Sequence, residues 1–237
     1  MRHGCGAHGE GVFKVRAGPH PVETGRGPTA GPHWRTLATV ILAAGASTRF
    51  GGRPKALLPV GAEAAVVRLA RLAEEAGCRP VVVVTGAHDR EIRAALEESP
   101  ARAVTNPRWS EGRTGSVAAG LQALPPFTDA LLWPVDHMFV DVSTVFALRA
   151  AWAQDPLALW FVPTFEERGG HPVLLRYELA PSILAMDPDA PLRDRRATLG
   201  PQVRTVEVRD AGILANVDDL ERYRRELTRW ERGWIDV

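Results

Sequence analysis

Residues 36–55 read TLATVILAAGASTRFGGRPK, and this stretch decides the fold. Leu37–Ala43 is a continuous apolar run, which suits a strand buried on both faces of a sheet. The loop after it, Gly45 to Lys55, is glycine-rich and polar. Working outward, residues 62–77 (AEAAVVRLARLAEEAG) place Val66, Leu69, Ala70 and Ala73 at i, i+3, i+4 and i+7, with Gly77 as a helix stop. Val81–Val84 is a β-branched run, and Asp89–Glu98 has Ile92, Ala95 and Leu96 on one helical face. Ala101–Thr105 reads as a third strand, Asn106–Gly115 as a loop and Ser116–Leu124 as a helix. Asp129–Val135 is a fourth strand and Val142–Ala153 a helix. Strands alternating with helices predict an α/β fold, a mostly parallel sheet covered on both faces. After Pro156 the rhythm changes. Ala158–Val162, Pro172–Leu175 and Val203–Val208 read as strands, Tyr177–Met186 as helical, and Ile213–Val217 as a short apolar segment. Leu220, Tyr223, Leu227 and Trp230 form the stripe of a last helix. The expected architecture is a Rossmann-like three-layer α/β/α arrangement with a C-terminal mixed β segment.

The composition narrows the function classes. A chain of 237 residues that is 45% hydrophobic and 24% charged is globular rather than disordered. A net charge of +1 argues against a general nucleic-acid binder. No apolar run is long enough to span a membrane, and no secretory signal is visible. Two cysteines, Cys5 and Cys78, fit a reducing cytoplasm. Residues 1–35 lack apolar periodicity, and residues 1–33 hold four of the seven histidines. They are expected to form a disordered extension ahead of one domain over residues 36–237.

In open α/β sheets ligands bind at the carboxyl ends of strands. Two such ends carry unusual residues. The loop from Leu42 through Ala43, Ala44, Gly45, Ser47 and Arg49 to Lys55 lets backbone approach a ligand closely. Its amides could form an anion nest, and Arg49, Arg53 and Lys55 add positive charge. These parts suit a triphosphate. Neither GxGxxG nor GxxxxGK[ST] fits the spacing, because Ser47 and Phe50 stand where glycines are needed. A merely basic, glycine-rich turn is the competing reading. The second end delivers Asp136 after the buried run LLWPV, where a carboxylate can hold Mg²⁺ or cap a turn.

These residues resemble a known family. LAAGASTRFGGRPK is similar to the signature L-A-[AG]-G-x-S-x-R-[FM]-G-x-x-K of the MobA-like nucleotidyltransferases. NPRWSEGRTGSVAAGL (106–121), LLWPVDHMFVD and GGHPVLL (169–175) resemble segments of the molybdenum cofactor cytidylyltransferase branch. The resemblance implies a nucleotide-diphospho-sugar transferase-like fold and transfer of a nucleotidyl group from a nucleoside triphosphate, CTP first, to a phosphorylated acceptor. Molybdopterin leads, with hand-over of the product to a molybdoenzyme. The alternatives are a sugar-phosphate nucleotidyltransferase and a catalytically silent chaperone for a nucleotide-bearing cofactor. The resemblance assigns the 42–55 loop, Asn106, Gly112 and Ser116 to the nucleotide, with Arg49 and Lys55 on the triphosphate. It assigns Asp136 and Asp218 to Mg²⁺, and His137, Gly170 and His171 to the acceptor. Arg113 departs from the pattern, which has methionine or leucine there. Asn216 departs where the family has an acidic residue, and a shortened segment leaves Asp219 as the alternative to Asp218.

Overall fold

The computed structural model describes residues 35–234, so the expectation for residues 1–34 lies outside the described residues. Among the described residues, ten strands and seven α-helices follow in chain order. They are β1 (Thr36–Leu42), β2 (Pro59–Val60), β3 (Glu63–Ala64), α1 (Ala65–Glu75), β4 (Val81–Thr85), α2 (Asp89–Ala95), β5 (Arg102–Thr105), α3 (Arg113–Gln122), β6 (Thr128–Pro134), α4 (Val142–Gln154), β7 (Trp160–Phe165), β8 (Arg168–Gly169), β9 (Val173–Leu175), α5 (Ala180–Leu184), α6 (Leu192–Ala197), β10 (Val203–Glu207) and α7 (Leu220–Glu231). The main sheet has the order β10-β7-β9-β6-β1-β4-β5, with β8 paired to β7. β1 pairs in parallel with β4 and β6, β4 with β5, and β7 with β10. β9 is antiparallel to both β6 and β7. The fold is therefore Rossmann-like α/β with a mixed C-terminal segment.

Burial explains why these runs are strands. Leu37 and Ile41 enter one apolar cluster, shared with α1, α4 and α7, while Val40 enters a second shared with α3 and α5. β4 divides in the same way, with Val81 and Val83 on one face and Val84 on the other. A strand buried on both faces needs apolar residues without alternation. Each fully buried Val or Ile contributes about 1.5–3 kcal/mol.

Three elements differ from the sequence expectation. The small β2–β3 hairpin precedes α1, which starts at Ala65 rather than 62. α3 starts at Arg113, three residues before the expected Ser116, because Gly112 takes the N-cap position at φ 146°. The apolar segment after β10 is a 3₁₀ turn, Ala211–Leu214, capped by the Asp210 carboxylate accepting from the Gly212 N–H.

The strand order reverses between β1 and β6: β4 and β5 extend to one side of β1, and β6 lies on the other. That switch point opens a crevice at the carboxyl ends of the two strands.

Candidate active site

The crevice is divided into two cavities. The first, about 220 Å³, lies at the ends of β1 and β6 and is lined by Leu42, Ala43, Ala44, Gly45, Ser47 and Lys55. Gly112, Ser116 and Asp136 close it from the other side. The second, about 620 Å³, is lined by His137, Gly170 and His171, with an apolar floor that includes Leu132, Trp160 and Val173. Arg168, Arg193 and Arg196 also line this second cavity, and Arg113 lines both.

The 42–55 loop is built to present Lys55. Ser47 sits in the left-handed region at φ 52°, a conformation costly for a residue with a Cβ. Its hydroxyl accepts the Lys55 backbone N–H at 2.9 Å, which closes the loop on itself. Phe50 is the buried anchor of the intervening 3₁₀ turn, Thr48–Phe50. Arg49 is exposed on that turn and lines neither cavity, so the structure does not bring it together with Lys55. Phe50 takes the turn's buried position and leaves its neighbour in solvent.

Lys55 Nζ lies 3.6 Å from Asp136 Oδ2 and donates to the Val217 carbonyl at 3.1 Å. Val217 in turn donates its N–H to the Asp136 carbonyl at 2.9 Å. Lysine, aspartate and the segment entering the last helix are thus one unit. Asp136 is 6% exposed, and its Oδ1 is buried with no hydrogen-bond partner. Burial acts to raise this carboxyl. His137 and His171 in their protonated forms, together with the Lys55 and Arg113 cations, oppose it and leave Asp136 below its ordinary range. It is ionised at neutral pH.

The two histidines pack with ring centroids 4.6 Å apart. His137 donates from Nδ1 to the Ile213 carbonyl at 3.0 Å, which turns Nε2 toward Asp136 Oδ1 at 3.9 Å. Burial depresses His137 below its ordinary value, against the pull of Asp136. Burial likewise takes His171 down to about 3. Both imidazoles are neutral hydrogen-bonding groups at neutral pH. Gly170 is required by packing, since a Cβ there would stand 2.3 Å from the Ile213 oxygen.

Other residues act at one remove. Asn106 lines neither cavity; its side-chain amide donates to Ser116 Oγ at 3.1 Å and its carbonyl accepts the Arg108 N–H, so it positions the start of α3. Gly112 presses on the Pro188 carbonyl, where a Cβ would come within 2.1 Å. Asp219 caps α7 by accepting the Arg222 N–H. Asp218 accepts from the Asn216 side-chain amide at 3.0 Å and directly follows Val217. Trp109, Arg168, Arg193 and Arg196 line the cavities without having been singled out from sequence. Trp109 lies inside the 106–121 motif, a signal that could have marked it; the arginines come from β8 and α6, where nothing local marked them.

Among the described residues no group of three or more His, Cys, Asp or Glu side chains is arranged to hold a metal, and no helix is long and apolar enough to cross a membrane. The oxygen donors at the site still fit a hard divalent cation. Mg²⁺ is usually held by one or two carboxylates together with substrate phosphates, and Asp136 offers an unpaired buried oxygen.

Comparison with known proteins bears on this geometry. The chain is 32% identical over 148 residues to nicotine blue oxidoreductase of Paenarthrobacter nicotinovorans, covering 61% of this chain and 72% of that protein. The fold is similar to a nucleotidyl transferase from Methanothermobacter, with a TM-score of 0.71 at 21% identity over 84% of this chain and 99% of that one. It is also similar to Rv0371c of Mycobacterium tuberculosis H37Rv in complex with manganese, with a TM-score of 0.66 at 22% identity over 81% and 98% of the two chains. A family model, the MobA-like NTP transferase domain, matches residues 39–204, which include the whole Gly45–Lys55 loop, Asp136 and His171. The chain belongs to the MobA-like NTP transferase family and is a nucleotidyltransferase.

Proposed function

We propose that the protein transfers CMP from CTP to a phosphorylated acceptor, molybdopterin first, and releases pyrophosphate. The observation that carries this reading is a pair of cavities that share Leu42, Arg113 and Pro134, the smaller of them lined by the Lys55–Asp136 pair. The smaller suits a nucleoside triphosphate, and the larger suits an acceptor with an apolar body and an anionic end.

An acceptor phosphate oxygen attacks the α-phosphorus of the triphosphate. The new P–O bond forms as the bond to the β-phosphate oxygen breaks, and the electron pair leaves with pyrophosphate. The chain supplies positioning and charge neutralisation rather than a covalent intermediate. Leu42, Ala43, Ala44 and Gly45 bring backbone close to the nucleotide, with Ser47, Gly112 and Ser116 around it and Asn106 fixing Ser116. Lys55 faces the triphosphate, and Arg49 adds positive charge from the solvent side of the same loop. Asp136 and Asp218 would hold Mg²⁺, since Asp219 is committed to its cap; a bound divalent cation would neutralise phosphate oxygens and polarise the reacting phosphorus. His137 and His171, both neutral, offer hydrogen bonds to the acceptor, and Gly170 sets their backbone.

Pyrophosphate release from CTP with molybdopterin, abolished in Asp136→Ala, is the expected result. Turnover confined to sugar phosphates would replace this reading with a sugar-phosphate nucleotidyltransferase. Tight nucleotide binding with no turnover on any acceptor would favour a silent cofactor chaperone, the reading drawn from the altered Asn216–Asp219 segment.

A further inference from the structure

Arg113 is oddly placed for a surface arginine. It is the first residue of α3, whose first turn contains no acidic side chain. A cation at a helix N-terminus opposes the helix dipole. Its one ion-pairing partner among the described residues is Asp136, at the long distance of 4.0 Å, and its side chain is 73% exposed. Its backbone, by contrast, is fixed. Thr114 Oγ1 donates to the Ala190 carbonyl at 2.6 Å, and the Gly115 N–H donates to the Pro188 carbonyl at 3.2 Å. Arg113 lines both cavities, with its guanidinium 4.0 Å from Asp136 Oδ2. A rigid stem thus carries an unsatisfied cation to the junction where the two substrates must meet.

We infer that Arg113 is a specificity-determining residue that holds the acceptor's phosphate at the junction of the two cavities, in line with the α-phosphorus. The inference rests on the nucleotidyl-transfer reading above. A guanidinium presents two parallel N–H donors that match phosphate oxygens, which methionine or leucine at this position cannot do. The acceptor is therefore one whose attacking group is a terminal, doubly charged phosphate monoester. A neutral hydroxyl or a carboxylate would leave the fork poorly matched. The local concentration of Lys55, Arg113 and the α3 N-terminus is relieved when that dianion is bound.

Arg113→Met and Arg113→Lys provide the test, in steady-state pyrophosphate release and in calorimetric titration with CTP. In Arg113→Met the acceptor KM should rise about tenfold or more and kcat should fall by a similar factor. The CTP Kd should stay within about threefold, with Arg113→Lys intermediate in both kinetic parameters. Acceptor KM and kcat within about twofold of the unaltered enzyme would overturn the inference, as would a raised CTP Kd with acceptor parameters intact. If the unaltered protein turns over no acceptor, the nucleotidyl-transfer reading fails. Inorganic phosphate is then titrated into protein saturated with an α,β-methylene analogue of CTP and Mg²⁺. Weaker phosphate binding in Arg113→Met sustains the assignment of Arg113, and equal or absent phosphate binding in both proteins overturns it.

Discussion

Replacing Gly170 by alanine tests how the wall of the larger cavity is held together. The added methyl would lie 2.3 Å from the Ile213 carbonyl oxygen and 2.8 Å from the carbonyl carbon. Both are backbone atoms, so no rotamer change relieves the contact. The same oxygen accepts the His171 backbone N–H at 3.2 Å and the His137 Nδ1–H at 3.0 Å. Relief moves the 213 segment away and takes both hydrogen bonds with it. Overpacking costs about 1–3 kcal/mol, and each lost hydrogen bond about 0.5–1.5 kcal/mol. Together the loss is roughly 2–6 kcal/mol of folding free energy. With a urea slope of about 2–3 kcal/mol per molar, the midpoint should fall by roughly 1 M or more. Imidazole resonances of His137 should shift in the folded variant because the acceptor of its Nδ1–H has moved, and those of His171 because its backbone N–H is tied to the same oxygen. An unchanged midpoint together with unchanged imidazole resonances would refute the packing argument.

Other outcomes follow from single contacts. A Cβ on Gly45 meets nothing within 4 Å, so Gly45→Ala should leave the melting temperature unchanged or slightly raised while CTP affinity falls about tenfold or more, as read by calorimetry. Asp136→Ala should abolish turnover with no loss of folding, checked by pyrophosphate release beside circular dichroism. Asp219→Ala should cost about 1 kcal/mol of stability through its lost cap and spare activity; Asp218→Ala should do the reverse, so equal behaviour of the two variants in both assays would contradict the assignment. Burial pushes the Cys78 thiol from its ordinary 9.0 up to about 12. The resulting stabilisation is complete below the ordinary value and disappears as pH rises through the folded one. In a Cys5→Ser background, Cys78 should therefore resist thiol reagents at pH 8.5 until denaturant is added, and rapid native labelling would count against its burial.

The legibility of the fold followed burial. β1, β4 and β6 were readable because doubly buried strands must be apolar throughout. α1 and α7 were readable because one face of each is apolar and covered, α1 by β1 and β4 and α7 by Phe139 and the β2–β3 hairpin. The β2–β3 hairpin and α6 were not. Two-residue strands have no period, and LRDRRA carries one large apolar residue in six positions. Pro172–Leu175 was readable as a strand, but its antiparallel insertion between β6 and β7 depends on partners over forty residues away in the case of β6. The site divided along the same line. Gly45, Lys55 and Asp136 stand out because residue type and strand-end position coincide. Asn106 lines neither cavity and donates to Ser116 Oγ, a contact between side chains ten residues apart that the motif alone does not encode. Arg193 and Arg196 reach the larger cavity only because α6 folds back across it.

The Val217 backbone has a consequence for how such enzymes are surveyed. Its N–H and carbonyl tie Asp136 to Lys55, so almost any side chain at 217 preserves the tie so long as it fits the core. An alanine scan would score the position as a modest packing site and pass over it. Only a change to the main chain itself, proline for the donor or an ester for the amide, would reveal that a peptide group helps fix the distance between Lys55 and Asp136.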